Sequence, residues 1–344
     1  MIYVSSLSRS PSRSPAEAPS SEGATAEPCA ACGGGPVVAW RTATPSDRRL
    51  AARALYRLER CAACGTAAIV REHRGAESGA LYSDGTYAAR PVRLDAVVRL
   101  ARAVVLRDRM RFVRGLPPGS SVLEVGAGDA RFLAPLARAG FSVHGMEPSE
   151  GRAVAARERG VPVEVVGLEE AEIPAGSQDA VVLWHVLEHL DDPAGALGRV
   201  RPWLRRGGKL IVAVPNLASL QARLGGDRWF HQDVPRHLTH FTTSGIAALV
   251  ERSGFELGHV RHVLVEHNAL GMWQTLLNFL TGEPNAFYGF VKRSLRYRRR
   301  VAALRDLALV GLAGPLLLPA AGVLELAAGL ARRGGTIVVE ATAL

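Results

Sequence analysis

The chain has 344 residues, of which 48% are hydrophobic and 22% charged, and this composition excludes a wholly disordered, collagen-like or coiled-coil protein. Its formal net charge of +10 would by itself suggest a nucleic-acid partner. Residues 41–114, however, carry 16 basic and 7 acidic side chains, whereas residues 115–266 carry 15 and 18. Because the motif-bearing part is mildly acidic, we expect no nucleic-acid partner.

Residues 1–28 are rich in Ser, Pro, Ala and Glu. They lack the apolar side chains that a core requires, so we expect a disordered tail. No apolar stretch follows a basic start, which argues against a secretory signal and for a cytosolic chain with reduced cysteines.

The four cysteines lie in two identical Cys-Ala-Ala-Cys-Gly motifs within residues 29–66. Each motif brings two thiolates to the spacing of a tetrahedral metal site, and the glycine permits a tight turn. We therefore expect a zinc ribbon with one closed, structural zinc site, with two disulfides or a chance repeat as alternatives. The predicted ligands are Cys29, Cys32, Cys61 and Cys64.

Residues 67–118 are interpreted as a linker with an amphipathic, Arg-rich helix over 92–114. Apolar strands then alternate with helical stretches over 119–266, which predicts an α/β core with a mostly parallel sheet. The segment 335–344 is expected to return to this sheet as its last strand. The predicted strands are 122–125, 142–146, 162–166, 180–184, 209–214, 256–262 and 335–342.

The first predicted strand runs into Gly126-Ala127-Gly128, a turn that lets a nucleotide approach the backbone where a helix begins. A dinucleotide fingerprint would have a third glycine where this chain has Arg131. Glu147 ends the second predicted strand, where an acid can bind both ribose hydroxyls. These features fit NAD and S-adenosylmethionine equally well.

Four motifs in chain order extend this pattern. They are Leu123-Glu124-Val125-Gly126-Ala127-Gly128, Gly145-Met146-Glu147-Pro148-Ser149, and the segments 179–190 and 207–216. Over 120–262 and the last strand, the chain resembles class I S-adenosylmethionine-dependent methyltransferases. The resemblance implies a Rossmann-like, seven-stranded sheet with an antiparallel last strand. The chain departs from it at Ala130, where many members have a further glycine.

The resemblance also implies which residues surround S-adenosylmethionine; for Trp184, ordinary core packing is the alternative. The expected contacts are Glu124, Gly126, Ala127 and Gly128 with the methionine part, Glu147 and Pro148 with the ribose, Leu168 and Glu169 with the adenine, and Trp184 and His185 with the sulfonium.

The residues after the fourth core strand bear on the acceptor atom. Amide- and base-directed members of the family carry an Asn/Asp-Pro-Pro-aromatic motif there, whereas this chain has Trp-His-Val-Leu at 184–187. This difference argues against N-methylation of nucleic-acid bases or of glutamine.

Glu188 and His189 follow directly. They resemble the Glu-x-x-Glu-His element that binds a divalent metal in ubiquinone-pathway and small-RNA 2′-hydroxyl methyltransferases, with His185 in place of the first glutamate. His237 or His240 could complete such a site; helix capping and the ordering of a loop are the alternatives.

Without a metal, a histidine can remove the proton of an acceptor hydroxyl. The candidate catalytic residues are His189, His240 and His185. We therefore expect O-methylation of a small-molecule, sugar or lipid-linked acceptor. The alternatives are C- or N-methylation of a sugar intermediate, and a catalytically silent cofactor-binding or scaffold protein.

The segment 229–241 resembles a subgroup associated with cell-envelope sugar and lipid biosynthesis, whose members also carry paired N-terminal Cys-x-x-Cys motifs. Its Trp229, Arg236 and His237 are the expected substrate-contacting residues of a lid. A simple connecting loop is the alternative.

Residues 267–334 interrupt the core before its last strand and are predicted to form a helical insertion. It carries a basic run over 292–300 and 18 uncharged residues over 307–324. A single membrane crossing is incompatible with the return of the last strand, and Pro315 and Pro319 favour two half-length helices. We expect this hairpin to enter one leaflet, with the arginines on anionic headgroups at the inner face of the membrane. A helical pair packed on the sheet or a dimer interface is the alternative.

Overall fold

A computed structural model describes residues 28–46, 55–74, 97–291 and 300–344 of the chain. The expected tail, except for its last residue, lies outside these ranges. So do residues 92–96 of the expected helix and 292–299 of the basic run.

Within the described ranges the chain begins with three strands, then largely alternates helices with strands, and has three successive helices before its last strand. The strands are β1 (Val37–Ala43), β2 (Tyr56–Cys61), β3 (Ala67–Ile69), β4 (Ser121–Val125), β5 (Ser142–Met146), β6 (Val163–Glu164), β7 (Gln178–Trp184), β8 (Leu204–Pro215), β9 (Thr239–His240), β10 (Phe255–Arg261) and β11 (Thr336–Ala343). The helices are α1 (Val97–Met110), α2 (Leu133–Arg138), α3 (Glu150–Arg157), α4 (Pro193–Trp203), α5 (Leu220–Gly225), α6 (Thr243–Arg252), α7 (Asn268–Leu277), α8 (Ala286–Val291) and α9 (Arg300–Leu330).

The main sheet has seven strands in the order β10-β11-β8-β7-β4-β5-β6. Strands β4 to β8 pair in parallel, whereas β11 is antiparallel to both β8 and β10. The central strand β7 is covered on both faces, and its Ala180, Val181, Val182 and Leu183 are at most 1% exposed, as expected for a parallel sheet between helical layers. The predicted fold class is confirmed.

Strands β6 and β8 differ most in length from their predictions. β6 is reduced to Val163–Glu164 because it lies at the sheet edge, where few backbone partners are available. β8 begins at Leu204, before the predicted residue 209. A run of apolar residues locates a strand by its buried centre, so its ends are the least certain part of the prediction.

A second sheet, in the order β1-β2-β3-β9, joins the cysteine-bearing segment to the core. β3 pairs with β9, and the hydroxyls of Thr242 and Ser244 both donate to the carbonyl oxygen of Cys64, at 2.6 and 2.9 Å. The ribbon is therefore attached to the segment that carries His240.

The insertion comprises α7, α8 and α9 and is anchored by buried polar contacts. The Trp273 indole donates to the Gly314 carbonyl at 2.7 Å, and Gln221 donates to Glu325 at 2.9 Å. α9 is long and apolar enough to cross a membrane by length and composition, although only a small share of it is buried.

The prediction of two half-length helices is wrong, because α9 is continuous through Pro315 and Pro319. Both prolines are exposed, whereas Asp306, Ala321 and Glu325 lie buried on the protein side. Packing of this buried stripe holds the helix together although each proline removes one backbone donor.

Candidate active site

The glycine turn lies at the carboxyl end of β4, between β5 and β7. Gly126 and Gly128 have φ angles of +69° and +57°, which side-chain-bearing residues rarely adopt. A Cβ on Gly126 would lie 2.7 Å from Cγ2 of Val186. The turn therefore requires glycine, and it brings the backbone close to the space at the strand ends.

Glu147 faces this turn from the end of β5 and is 5% exposed. Its two carboxylate oxygens accept hydrogen bonds from the amides of Gly128 and Ser149, at 2.9 and 3.0 Å. A carboxylate has about four acceptor positions, so this arrangement leaves capacity for a ribose diol. Nearby Pro148 and Glu169 are exposed, and Leu168 is buried.

Glu124 is buried below the turn and accepts a hydrogen bond of 2.8 Å from the Arg109 guanidinium. Burial raises the pKa of Glu124 to about 7, although Arg109 opposes the shift. Arg109 also stacks 4.3 Å from the Trp184 ring and lies 3.7 Å from a Glu266 oxygen. Arg109 and Glu266 were not among the predicted site residues.

Trp184 and His185 occupy the carboxyl end of β7. Trp184 is half-buried and packs against Phe112, at 5.7 Å between ring centroids. His185 has a φ of +56°, a strained conformation for a side-chain-bearing residue and one that is frequent at functional sites. Its Nδ1 lies 2.9 Å from Oε1 of Glu188. Because a carboxylate accepts, Nδ1 carries the proton and Nε2 the lone pair.

His185 is half-buried, and desolvation lowers its pKa well below the usual value. The neutral ring lies 4.4 Å, between centroids, from the ring of His267. His267, another residue that the predictions missed, follows β10 and precedes α7. The His267 ring thus contacts the His185 ring, and His185 in turn is hydrogen-bonded to Glu188.

A second group comprises Glu188, His189 and His237, whose nearest ligand atoms all lie within 4.8 Å of one another. The Nδ1 atoms of His189 and His237 donate to the backbone carbonyls of Arg236 and His231, at 2.9 and 2.7 Å. Oε2 of Glu188 has no hydrogen-bond partner among the described residues. Imidazoles fixed through Nδ1 present Nε2 as a ligand, so this group could hold a divalent ion.

His240 lies apart from that group, on β9. Its Nε2 donates to the Gln232 carbonyl at 2.8 Å, and burial lowers its pKa to about 4. The pKa of His237 is lowered to about 3 for the same reason. Both rings are therefore neutral at ordinary pH.

A cavity of about 660 Å³ opens between the core and the insertion; residues of the glycine turn are not part of its lining. α1, α2, α7 and α8 contribute its walls, which include Arg109, Phe132, His267, Trp273 and Phe287. Of the candidate catalytic histidines, His185 is the one that contacts a lining residue, through His267.

The predicted lid residues lie elsewhere. Trp229 and His237 are 2% and 7% exposed, and Arg236 pairs with Asp233 at 2.9 Å. None of the three, nor His189 or His240, lines the described cavity, whereas the neighbouring Phe230 does. The placement favours the alternative of a connecting loop, which here also carries β9 to the ribbon.

The four cysteines are brought together by the two motif turns. The Sγ atoms of Cys29 and Cys64 are 3.7 Å apart, as are those of Cys32 and Cys61. Tetrahedral zinc with bonds of about 2.3 Å separates its sulfur ligands by about 3.8 Å. All four are free thiols, so the geometry fits a zinc site and disagrees with the disulfide alternative.

The chain is similar in sequence to known methyltransferases. A family model described as a methyltransferase domain matches residues 98–260. A ubiquinone biosynthesis O-methyltransferase of Azorhizobium caulinodans is 29% identical over 217 residues, covering 58% of this chain and 84% of that protein. The protein of the same name from Dinoroseobacter shibae is 29% identical over 183 residues, covering 48% and 71%.

Among solved structures, an S-adenosylmethionine-dependent methyltransferase from Mesorhizobium loti is similar at 16% identity. The similarity covers 70% of this chain and 97% of that one, with a TM-score of 0.40.

Proposed function

We propose that this chain, which is a class I S-adenosylmethionine-dependent methyltransferase, methylates a hydroxyl oxygen of a small-molecule acceptor. The observation that carries the proposal is the contact series from the cavity inward. His267 lines the cavity, its ring contacts His185, and Glu188 fixes the tautomer of His185. A histidine base that is positioned by a second histidine, itself held by a carboxylate, is suited to removing a hydroxyl proton.

S-adenosylmethionine supplies an activated methyl group when bound. The residues present fit it, because a turn that requires glycine lies between two buried carboxylates, Glu124 and Glu147. Glu147 would bind the ribose hydroxyls, while Glu124 and Arg109 would bind the ammonium and carboxylate of the amino-acid part. The protein then aligns the acceptor oxygen, since alignment is the main requirement of such a transfer.

His267 is proposed to accept the acceptor proton, with His185 as its positioning residue. We expect His267→Ala to lower methyl transfer by about a hundredfold or more while leaving S-adenosylhomocysteine affinity unchanged. The measurement uses radiolabelled S-adenosylmethionine with catechol, octyl glucoside and a bacterial lipid extract as acceptors, and mass spectrometry locates the methyl group.

His259→Ala is the matched control, because His259 is exposed on β10. Full turnover by His267→Ala would contradict its role as base. A methyl group on carbon or nitrogen would instead support the C- or N-methyltransferase alternative. Cofactor binding without turnover on every acceptor would support the silent scaffold.

Metal-assisted O-methylation is the second candidate mechanism. It is favoured by the unpartnered oxygen of Glu188 beside the Nε2 atoms of His189 and His237. A divalent ion held there would lower the pKa of a bound hydroxyl and orient it. Stimulation of turnover by added Mg²⁺ or Mn²⁺, abolished in His237→Ala, would support this mechanism over the His267 base.

We further propose that the four cysteines hold one structural zinc ion and that the chain is a cytoplasmic protein that contacts the membrane peripherally. The sulfur geometry supports the first statement. The second is supported by the exposed apolar surface of α9 and by the basic run over 292–300 that precedes it.

A further inference from the structure

The cavity has a cationic side that the proposed methyl transfer does not use. Three arginines line it: Arg131 precedes α2, Arg138 ends α2, and Arg159 follows α3. Arg131 and Arg159 share one carboxylate, Asp129, at 2.7 and 3.1 Å. The contact described for Arg138 is to the Ala134 carbonyl, at 3.3 Å. Three cations thus face one anion, which leaves a net positive charge at this side.

The other side of the same cavity is apolar and belongs largely to α1 and the insertion. Leu106, Leu270, Trp273 and Phe287 form it. Leu270 is 53% exposed, although it belongs to an inward-facing wall. A leucine exposed in this position is suited to cover by a bound apolar group, because water contact with it is unfavourable.

We propose that the cavity binds an amphipathic acceptor whose anionic group, a phosphate or a comparable oxyanion, contacts the three arginines and whose apolar chain lies along the insertion. This inference rests on the proposed methyltransferase function and specifies its substrate class. Arginine binds such oxyanions through paired N–H donors. Each methylene removed from water strengthens binding about fourfold, so head and tail would both contribute.

Neutral acceptors fit this cavity less well. A sugar or a catechol without an anionic group would leave two of the three arginine charges unbalanced, because Asp129 supplies a single negative charge. A small oxyanion would leave the apolar wall uncovered. The two sides together therefore select for molecules that carry both features.

Calorimetric titration of the full chain with octyl phosphate, octan-1-ol and inorganic phosphate tests the inference. We expect octyl phosphate to bind at one site per chain, at least tenfold more tightly than either of the other probes. Arg138→Gln should weaken octyl phosphate about tenfold and leave octan-1-ol unchanged. Leu270→Asn should weaken both octyl compounds and leave inorganic phosphate unchanged. Both residues are exposed, so neither change should disturb the fold.

Arg199→Gln is the control, since Arg199 is an exposed arginine on α4, outside the cavity lining. Equal weakening by Arg199→Gln and Arg138→Gln would overturn the inference, and so would inorganic phosphate binding as tightly as octyl phosphate. S-adenosylhomocysteine binding and methyl transfer are measured on the same samples. If the wild-type chain binds octyl phosphate but transfers no methyl group, the result counts against the proposed function. If the wild-type chain transfers methyl groups but does not bind octyl phosphate, the result counts against the proposed acceptor class.

Discussion

Glu124 combines burial with a charged partner, and the balance between them sets its ionisation. Burial raises its pKa to about 7, Arg109 lowers it, and the charges of Glu266 and Glu147 raise it further. The carboxyl group is therefore half protonated near neutral pH. Only the ionised form attracts the ammonium of a bound amino acid, so cofactor affinity should depend on pH.

We expect the affinity for S-adenosylhomocysteine to increase about tenfold from about pH 6 to about pH 8, because the ionised fraction of Glu124 increases by that factor around a pKa of about 7. Calorimetry across this range measures the effect. Glu124→Gln should flatten the profile. The control ligand 5′-methylthioadenosine lacks the ammonium and should show little pH dependence. An unchanged profile in Glu124→Gln would assign the titration to another group.

The predicted cofactor contacts that lie around the glycine turn are those fixed by a local motif. Glu124 is in β4, Gly126 and Gly128 form the turn after it, and Glu147 follows β5, so the order of strands and motifs along the chain places them. Arg109 and His267 come from α1 and from the segment after β10, and no motif distinguishes them from neighbouring arginines and histidines. Their approach depends on how those elements pack, which a single sequence does not show.

At the scale of elements, the ribbon is joined to the core by backbone pairing between β3 and β9. Ala67 and Ala68 pair with His240 and Thr239, and Leu238 accepts a further bond from Ile69. Thr242 and Ser244 then bind the carbonyl of Cys64. Metal binding in the ribbon should therefore stabilise the histidine-bearing segment of the core.

We expect Cys64→Ser to abolish the zinc content of the chain and to lower its thermal midpoint by about 5 °C or more, because even a loss of about 2 kcal/mol shifts a domain of this size by several degrees. Metal analysis and scanning calorimetry measure the two effects. Ala63→Ser is the control, since Ala63 is exposed in the same turn. Stoichiometric zinc in Cys64→Ser would refute the assigned ligand set.

Strands and helices were predicted correctly where a single sequence pattern extends over the whole element. Apolar runs that alternate with helical stretches located the seven strands of the main sheet, because central strands with both faces covered are apolar along their length. The prediction for α9 was wrong, because local proline preference favours a break, whereas contacts from Trp273 and Gln221 hold the helix in place. Those contacts join residues far apart in the chain.

At the scale of the whole molecule, α9 exposes an unusually large apolar surface. Its Leu312, Leu316, Val323 and Leu330 are 75%, 78%, 70% and 73% exposed. The helix is roughly 46 Å long, so this surface is too extensive to be scattered apolar exposure. The basic run 292–300 next to it matches anionic headgroups.

We expect the chain to co-sediment with vesicles that contain phosphatidylglycerol, and much less with phosphatidylcholine vesicles or in about 0.5 M salt, because salt screens the basic run. Leu312→Glu combined with Leu316→Glu should reduce the bound fraction at least fivefold. Val154→Glu is the control, an exposed valine on α3. If the wild-type chain does not co-sediment with either kind of vesicle and is dimeric by light scattering, a second copy covers α9.

The insertion leaves the main sheet after β10 and returns as β11, and these strands are hydrogen-bonded neighbours, with Arg261 opposite Val338. Its two ends therefore meet at adjacent backbone positions, as the ends of a hairpin loop do. A segment attached in this way can be lengthened, shortened or exchanged without altering the strand order. Replacement of the insertion alone would therefore change the acceptor-facing wall of the cavity and leave the glycine turn and Glu147 unaltered.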